Sequence, residues 1–108
     1  MVSDKVAIET DKRLRDYELV LVINPTLAEE EFEAVIENVS RFVTGKGGSM
    51  TDIQRWGKKK LAYPIKHFTE GNYVLARFKL NPEFGRELGA NLRISEAVMR
   101  NLLIKLED

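Results

Sequence analysis

Two short stretches of this chain echo one another, and the echo limits the available folds more than any other feature. Ile23-Asn24-Pro25 closes one apolar run, and Leu80-Asn81-Pro82 closes another. Proline has no backbone N–H to give to a sheet ladder, so each run ends as a strand where its Asn-Pro pair begins. Asn81-Pro82 also suits a helix start, with asparagine as N-cap and proline at the first helical position. Each stretch therefore marks a strand turning into a helix. A further strand after each helix gives two strand-helix-strand halves in tandem. The chain has 108 residues, which suits one domain with a single modest core.

Asp16 to Ile23 is the first strand. Tyr17, Leu19, Leu21 and Ile23 alternate with Glu18, Val20 and Val22, and apolar groups on both faces indicate a central position. The first helix is expected to begin at Thr26, which forms a capping-box pattern with Glu29. Leu27, Phe32, Val35, Ile36, Val39, Phe42 and Val43 recur at helical spacing. Glu29, Glu30 and Glu31 lie where the helix dipole favours negative charge, and the helix should stop near Gly45. Met50 to Ile65 is the second strand, with Gly57 as a bulge candidate and Pro64 marking an edge. Lys66 to Gly71 is expected to turn the chain into a third strand, Asn72 to Leu80. The helix after Asn81-Pro82 turns Phe84, Leu88 and Leu92 inward, and Gly85 and Gly89 are expected to let it approach the sheet closely. Val98 to Leu106 is the last strand. Residues 1 to 14 are expected to be a flexible N-terminal extension, which leaves 15 to 108 as one domain. The order strand, helix, strand, strand, helix, strand is the ferredoxin-like split βαβ arrangement of the α+β class. It has a four-stranded antiparallel sheet, two helices on one face, and the first and third strands in the centre.

The stretch from Trp56 to Lys66 is apolar, basic and aromatic at once. Read with period 2, Leu61, Tyr63 and Ile65 share one face and Trp56, Lys58, Lys60 and Ala62 share the other. Such a strand suits an anionic partner. It equally suits an edge strand guarded by lysines against aggregation. The net charge of zero argues against a general polyanion binder. Its distribution is uneven, however. Lys46, Arg55, Lys58, Lys59, Lys60 and Lys66 lie between Gly45 and His67 against Asp52 alone, whereas Glu29 to Glu37 holds five glutamates and no base. One end of the domain should be positive and one helix face negative.

Several classes are disfavoured. Without cysteine there are no disulfides, thiolate metal sites or cysteine nucleophiles, and the single His67 cannot build a metal site with other histidines. No apolar run approaches the roughly 18 residues of a membrane span, and Met1 to Arg15 lacks the apolar core of a secretory signal, so the default compartment is the cytoplasm. An enzyme is not expected. There is no Ser/His/Asp set, and Asn24-Pro25-Thr26 offers a proline where a phosphate cradle wants a donor. No catalytic residue, metal or cofactor is implied. The central strands, Leu19-Val20-Leu21-Val22 and Gly71-Asn72-Tyr73-Val74-Leu75, lack the aromatic platform on which single-stranded RNA is usually stacked. A structural binder that positions RNA through charges remains. The alternative is a stand-alone oligomerising or ligand-sensing module on the same scaffold.

Trp56-Gly57-Lys58-Lys59-Lys60-Leu61-Ala62-Tyr63-Pro64-Ile65-Lys66 resembles the signature of the bacterial small-subunit ribosomal protein six family. Asp16-Tyr17-Glu18, Asn24-Pro25, Gly71-Asn72-Tyr73 and Leu92-Arg93-Ile94 fall in that family's order and spacing, so the resemblance covers residues 15 to 106. One departure is Lys60, where the family usually has arginine; lysine is a point charge and cannot bind a phosphate bidentately. The resemblance implies the same fold. It also implies a cytoplasmic, ribosome-associated protein that binds the central domain of small-subunit rRNA as a heterodimer with ribosomal protein eighteen. It implies RNA contacts at Arg15, Lys58, Lys59, Lys60, Arg93, Arg100 and Lys105, and a protein-partner surface at Trp56, Ala62 and Tyr63. Plain structural roles also exist for two of these. Tyr63 would suit a core position, and Arg93 would suit a helix C-terminus.

Overall fold

The echo in the sequence is an echo in the backbone. The computed structural model describes residues 14–106. Strand β1 runs Arg15–Ile23, helix α1 Glu29–Gly45, strand β2 Ser49–Ile65 and strand β3 Phe68–Leu80. A 3-10 turn at Pro82–Phe84 then leads into helix α2, Gly85–Ile94, and strand β4, Val98–Lys105. At the first strand-to-helix junction the Asn24 side-chain oxygen accepts from the Thr26 N–H at 2.9 Å. At the second, the Asn81 oxygen accepts from the Glu83 N–H at 3.1 Å. Both are the same asparagine turn, in which a side chain stands in for a backbone acceptor. The expected extension over residues 1 to 14 lies, apart from Leu14, outside the described residues.

The sheet is antiparallel throughout, in the order β2-β3-β1-β4, so the first and third strands are central. Tyr17, Leu19, Leu21 and Ile23 of β1 join Val74, Ala76, Phe78 and Leu80 of β3 in one buried cluster. The stripe Phe32, Val35, Ile36, Val39 and Val43 of α1 covers it, together with Leu88 and Leu92 of α2. Each such side chain contributes on the order of 2 kcal/mol on leaving water. Tyr17 and Phe78 are opposite each other in the ladder, with stacked rings 5.9 Å apart. This settles the facing of β3, which carries apolar groups on both sides and cannot be oriented by pattern alone.

Three local expectations are corrected. Helix α1 starts at Glu29 with Ala28 as N-cap, because the Thr26 hydroxyl is spent on Asn24 at 2.7 Å. Glu31, not Glu29, reaches back to accept from the Ala28 N–H at 3.2 Å. The turn between β2 and β3 is only Lys66-His67, both in the left-handed region (φ 50° and 71°), so β3 starts at Phe68 and the strands pair down to Ile65 and Phe68. Gly85 and Gly89 do not admit the sheet: a Cβ on Gly89 would meet open space, and one on Gly85 would sit at an ordinary 3.6 Å from the Tyr17 hydroxyl. The close approaches are elsewhere. A Cβ on Gly48 would collide with the Lys79 carbonyl, and one on Gly71 with the Val22 side chain.

Candidate RNA and partner interface

The face of the sheet away from the helices carries the even-numbered residues of β1: Glu18, Val20 and Val22. Ladder partners share a face, so Arg77, Leu75 and Tyr73 of β3 lie beside them, as do Ile104, Leu102 and Arg100 of β4. One end of this face is ionic, with Arg77 bound to Glu18 at 3.0 Å and Lys79 to Asp16 at 3.2 Å. The other end is apolar, and there the hairpin arm of β2 and β3 curls over it. β1 pairs with β3 only as far as Asn72, so the remaining arm has no third strand to hold it. It seats instead on Val22, where Gly71 leaves room, and the Tyr63 hydroxyl accepts from Arg100 Nη1 at 2.9 Å. A cleft of ≈ 200 Å³ remains between arm and sheet, lined by Val20, Val22, Leu61, Ala62, Tyr63, Ile65, Tyr73 and Arg100 among others.

Gly57 decides how the basic segment is presented. It has φ 86°, and the ladder slips between Arg55 and Gly57, so it is a bulge of the kind that only glycine forms without strain. The bulge breaks the expected alternation. Trp56 does not share a face with Lys58; its indole lies 5.1 Å from the Lys59 ammonium, and its N–H donates to Gln54 at 3.0 Å. Lys58 is opposite Asn72 and lines a hollow at the start of α1 with Glu29, Glu33 and Arg55. Arg55 makes a bidentate pair with Glu33, at 2.9 and 2.7 Å, and this holds the Glu33 carboxyl below its usual value.

The anticipated RNA-contacting residues do not form one patch. Lys58, Lys59, Lys60 and Arg100 gather around the arm. Arg93 is exposed in the last turn of α2, next to an Ile94 that is 80% exposed. Arg15 and Lys105 lie at the far end of the strands. Lys105 is five steps along the strand from Arg100, about 17 Å and an odd number, so Lys105 also faces the helix side. Arg15 donates to the Leu14 carbonyl at 3.0 Å, and its charge partly offsets the burial that raises the Tyr17 hydroxyl above its ordinary value. Of the partner residues, Trp56, Ala62 and Tyr63 are all exposed. Tyr63, at 58%, is no core residue.

What unites most of the expected bases is the lack, among the described residues, of a carboxylate partner. Among the described residues, Arg41, Lys46, Arg55, Arg77 and Lys79 are each bound to a carboxylate. None of Lys58, Lys59, Lys60, Arg93, Arg100 or Lys105 is. Lys66 at the tip of the arm joins that second group, and on the apolar side Leu102 and Ile104 are exposed (54% and 38%). None of these three is among the contact residues that the resemblance implies. Leu102 and Ile104 could have been found by stepping in twos from Arg100 along an edge strand.

A family model described as ribosomal protein S6 matches residues 16–105. A small ribosomal subunit protein bS6 from Dehalococcoides mccartyi is 41% identical over 108 residues, covering 100% of this chain and 99% of that protein. One from Moorella thermoacetica is 42% identical over 95 residues, 88% of this chain and 97% of that one. Among solved structures, 30S ribosomal protein S6 from Thermotoga maritima superimposes with a TM-score of 0.80 at 30% identity, covering 86% of this chain and 88% of that one. The P2 domain of a chemotaxis kinase from the same organism reaches a TM-score of 0.56 at 11% identity. That likeness shows a shared fold alone.

Proposed function

Because the chain belongs to the ribosomal protein S6 family, we propose that it is a structural component of the small ribosomal subunit. In this reading it works on the cytoplasmic ribosome and binds the central domain of small-subunit rRNA together with ribosomal protein eighteen. The observation that carries the reading is the split between paired and unpaired bases. Cations already bound to a carboxylate gain little by meeting a phosphate. Those on the arm have no such competitor among the described residues and are available to position an RNA backbone. Their number is small and the net charge is zero, so the RNA contact is weak alone and depends on a second protein. The apolar cleft beside the arm, lined by Ala62 and Tyr63, supplies a surface for that protein, and the exposed Trp56 lies farther along β2. A stand-alone module gains no support from any particular feature.

The test is titration of a central-domain rRNA fragment with this chain, in the presence and absence of protein eighteen, at physiological salt. Tight binding by the pair and poor binding by the isolated chain is the expected result. Equal affinity in both cases, or a homodimer indifferent to protein eighteen, would overturn the proposal.

A further inference from the structure

The two edges of the sheet are treated differently. Exposed edges invite pairing with another chain, and proteins blunt them with bulges, lysines and proline. Edge β2 has all three: the Gly57 bulge, Lys58 to Lys60, and Pro64. Edge β4 is irregular only near Met99, where the ladder shifts between Val22 and Ile23. From Arg100 to Lys105 it pairs with β1 without interruption and contains neither proline nor glycine.

The backbone of β4 can be accounted for group by group. The Leu106 N–H donates to the Asp16 carbonyl at 2.8 Å. In an antiparallel ladder such pairs recur every second residue, so Ile104, Leu102 and Arg100 also direct their N–H groups toward β1. Asn101, Leu103 and Lys105 then point theirs outward, beyond the last strand of the sheet. Leu102 and Ile104, both exposed, lie on the open face in line with the cleft under the arm.

Charge selects the occupant. Arg100 and Lys105 are basic, neither is bound to a carboxylate among the described residues, and β4 has no acidic residue. A second copy on this edge would bring two more bases and no carboxylate, so neither Arg100 nor Lys105 would gain a counter-charge. We propose that the β4 edge takes up an extended, acid-bearing apolar segment of the partner protein as a fifth strand. Its backbone binds Asn101, Leu103 and Lys105, its alternate apolar side chains cover Leu102 and Ile104, and its carboxylates meet Arg100 and Lys105. This inference rests on the protein-partner reading above.

The test is amide hydrogen exchange on the full chain, alone and with protein eighteen, resolved by residue. In the isolated chain Asn101, Leu103 and Lys105 should exchange fast and Arg100, Leu102 and Ile104 slowly; the complex should protect the first three. Proline at a position whose N–H points outward leaves the β1 ladder intact. Asn101→Pro combined with Lys105→Pro should therefore weaken the pair by roughly tenfold or more, as expected from two lost backbone hydrogen bonds. Should that variant not fold, Arg100→Glu combined with Lys105→Glu should weaken the pair with the backbone untouched. A complex that forms while the three amides keep exchanging fast overturns this inference alone. Protection of the three by the rRNA fragment without protein eighteen overturns it in favour of RNA. Absence of any complex overturns both it and the partner reading.

Discussion

Replacing Gly71 with alanine tests whether the arm really seats on β1. Gly71 is buried where β3 leaves the body of the sheet, and a Cβ there would run into Val22 Cγ1 and lie 3.4 Å from Leu61 Cδ2. Val22 is itself 5% exposed in a central strand, so it has little freedom to withdraw. Overpacking by one methyl costs about 1–3 kcal/mol. The stiffer unfolded chain returns about 0.4–1 kcal/mol. The net loss should be about 1 kcal/mol, or about 4–8 °C in Tm for a domain of this size. Stability alone would not identify the cause, so the assay is a double-mutant cycle by urea unfolding, with Val22→Ala as the second change. Val22→Ala removes the colliding methyl, so Gly71→Ala should cost far less in its presence, with a coupling of about 1 kcal/mol. Additivity within about 0.5 kcal/mol would refute the proposed contact and with it the seating of the arm.

Two further outcomes follow from single residues. Lys46 lies 5.6 Å from the Phe42 ring and 5.2 Å from the Phe84 ring, at the end of α1 and beside Glu87; Lys46→Ala should cost about 1 kcal/mol, whereas Lys46→Arg should keep most of it, as measured by thermal unfolding. Glu33 is held below its ordinary value by its hydrogen bond to Arg55, so its contribution is complete above that ordinary value and is lost as the pH falls through the lower, folded one. Between pH 7 and pH 3 the native protein should therefore lose more stability than Glu33→Gln, by less than about 1 kcal/mol because the pair is half-exposed; equal losses would contradict the assignment.

Much of the architecture was legible because independent signals agreed. The Asn-Pro echo, the α1 stripe and the guards on β2 all pointed to the same order of elements. The misreadings share a physical origin in competition for one group or one residue. Thr26 looked like a cap, but its hydroxyl had a nearer acceptor in Asn24. Lys66-His67 takes the left-handed turn without the glycine or asparagine that usually announces one. Gly71 has the composition of a turn and is instead a buried strand residue making room for Val22.

The site was less legible than the fold. Period 2 placed Trp56 and Lys58 together, and one bulge at Gly57 was enough to separate them. Arg15 and Lys105 fell at the far end of the molecule because sequence distance from Arg100 says nothing about which end of a sheet a strand reaches. Tyr63 has the chemistry of a core residue but lies on an arm with no core to enter. Which lysines lack a carboxylate depends on pairs far apart in the chain, such as Arg77 with Glu18, and only the tertiary structure supplies that.

The claim that the arm's bases, which have no carboxylate partner among the described residues, hold the RNA is tested most directly by salt dependence. The affinity of the pair for the rRNA fragment would be measured across salt concentrations, with the native chain and with Lys58, Lys59 and Lys60 all changed to alanine. Three lost phosphate contacts should flatten the slope of log K against log salt by about 2 to 3. A variant that binds more weakly at the same slope, or equally well at every salt concentration, would contradict the account.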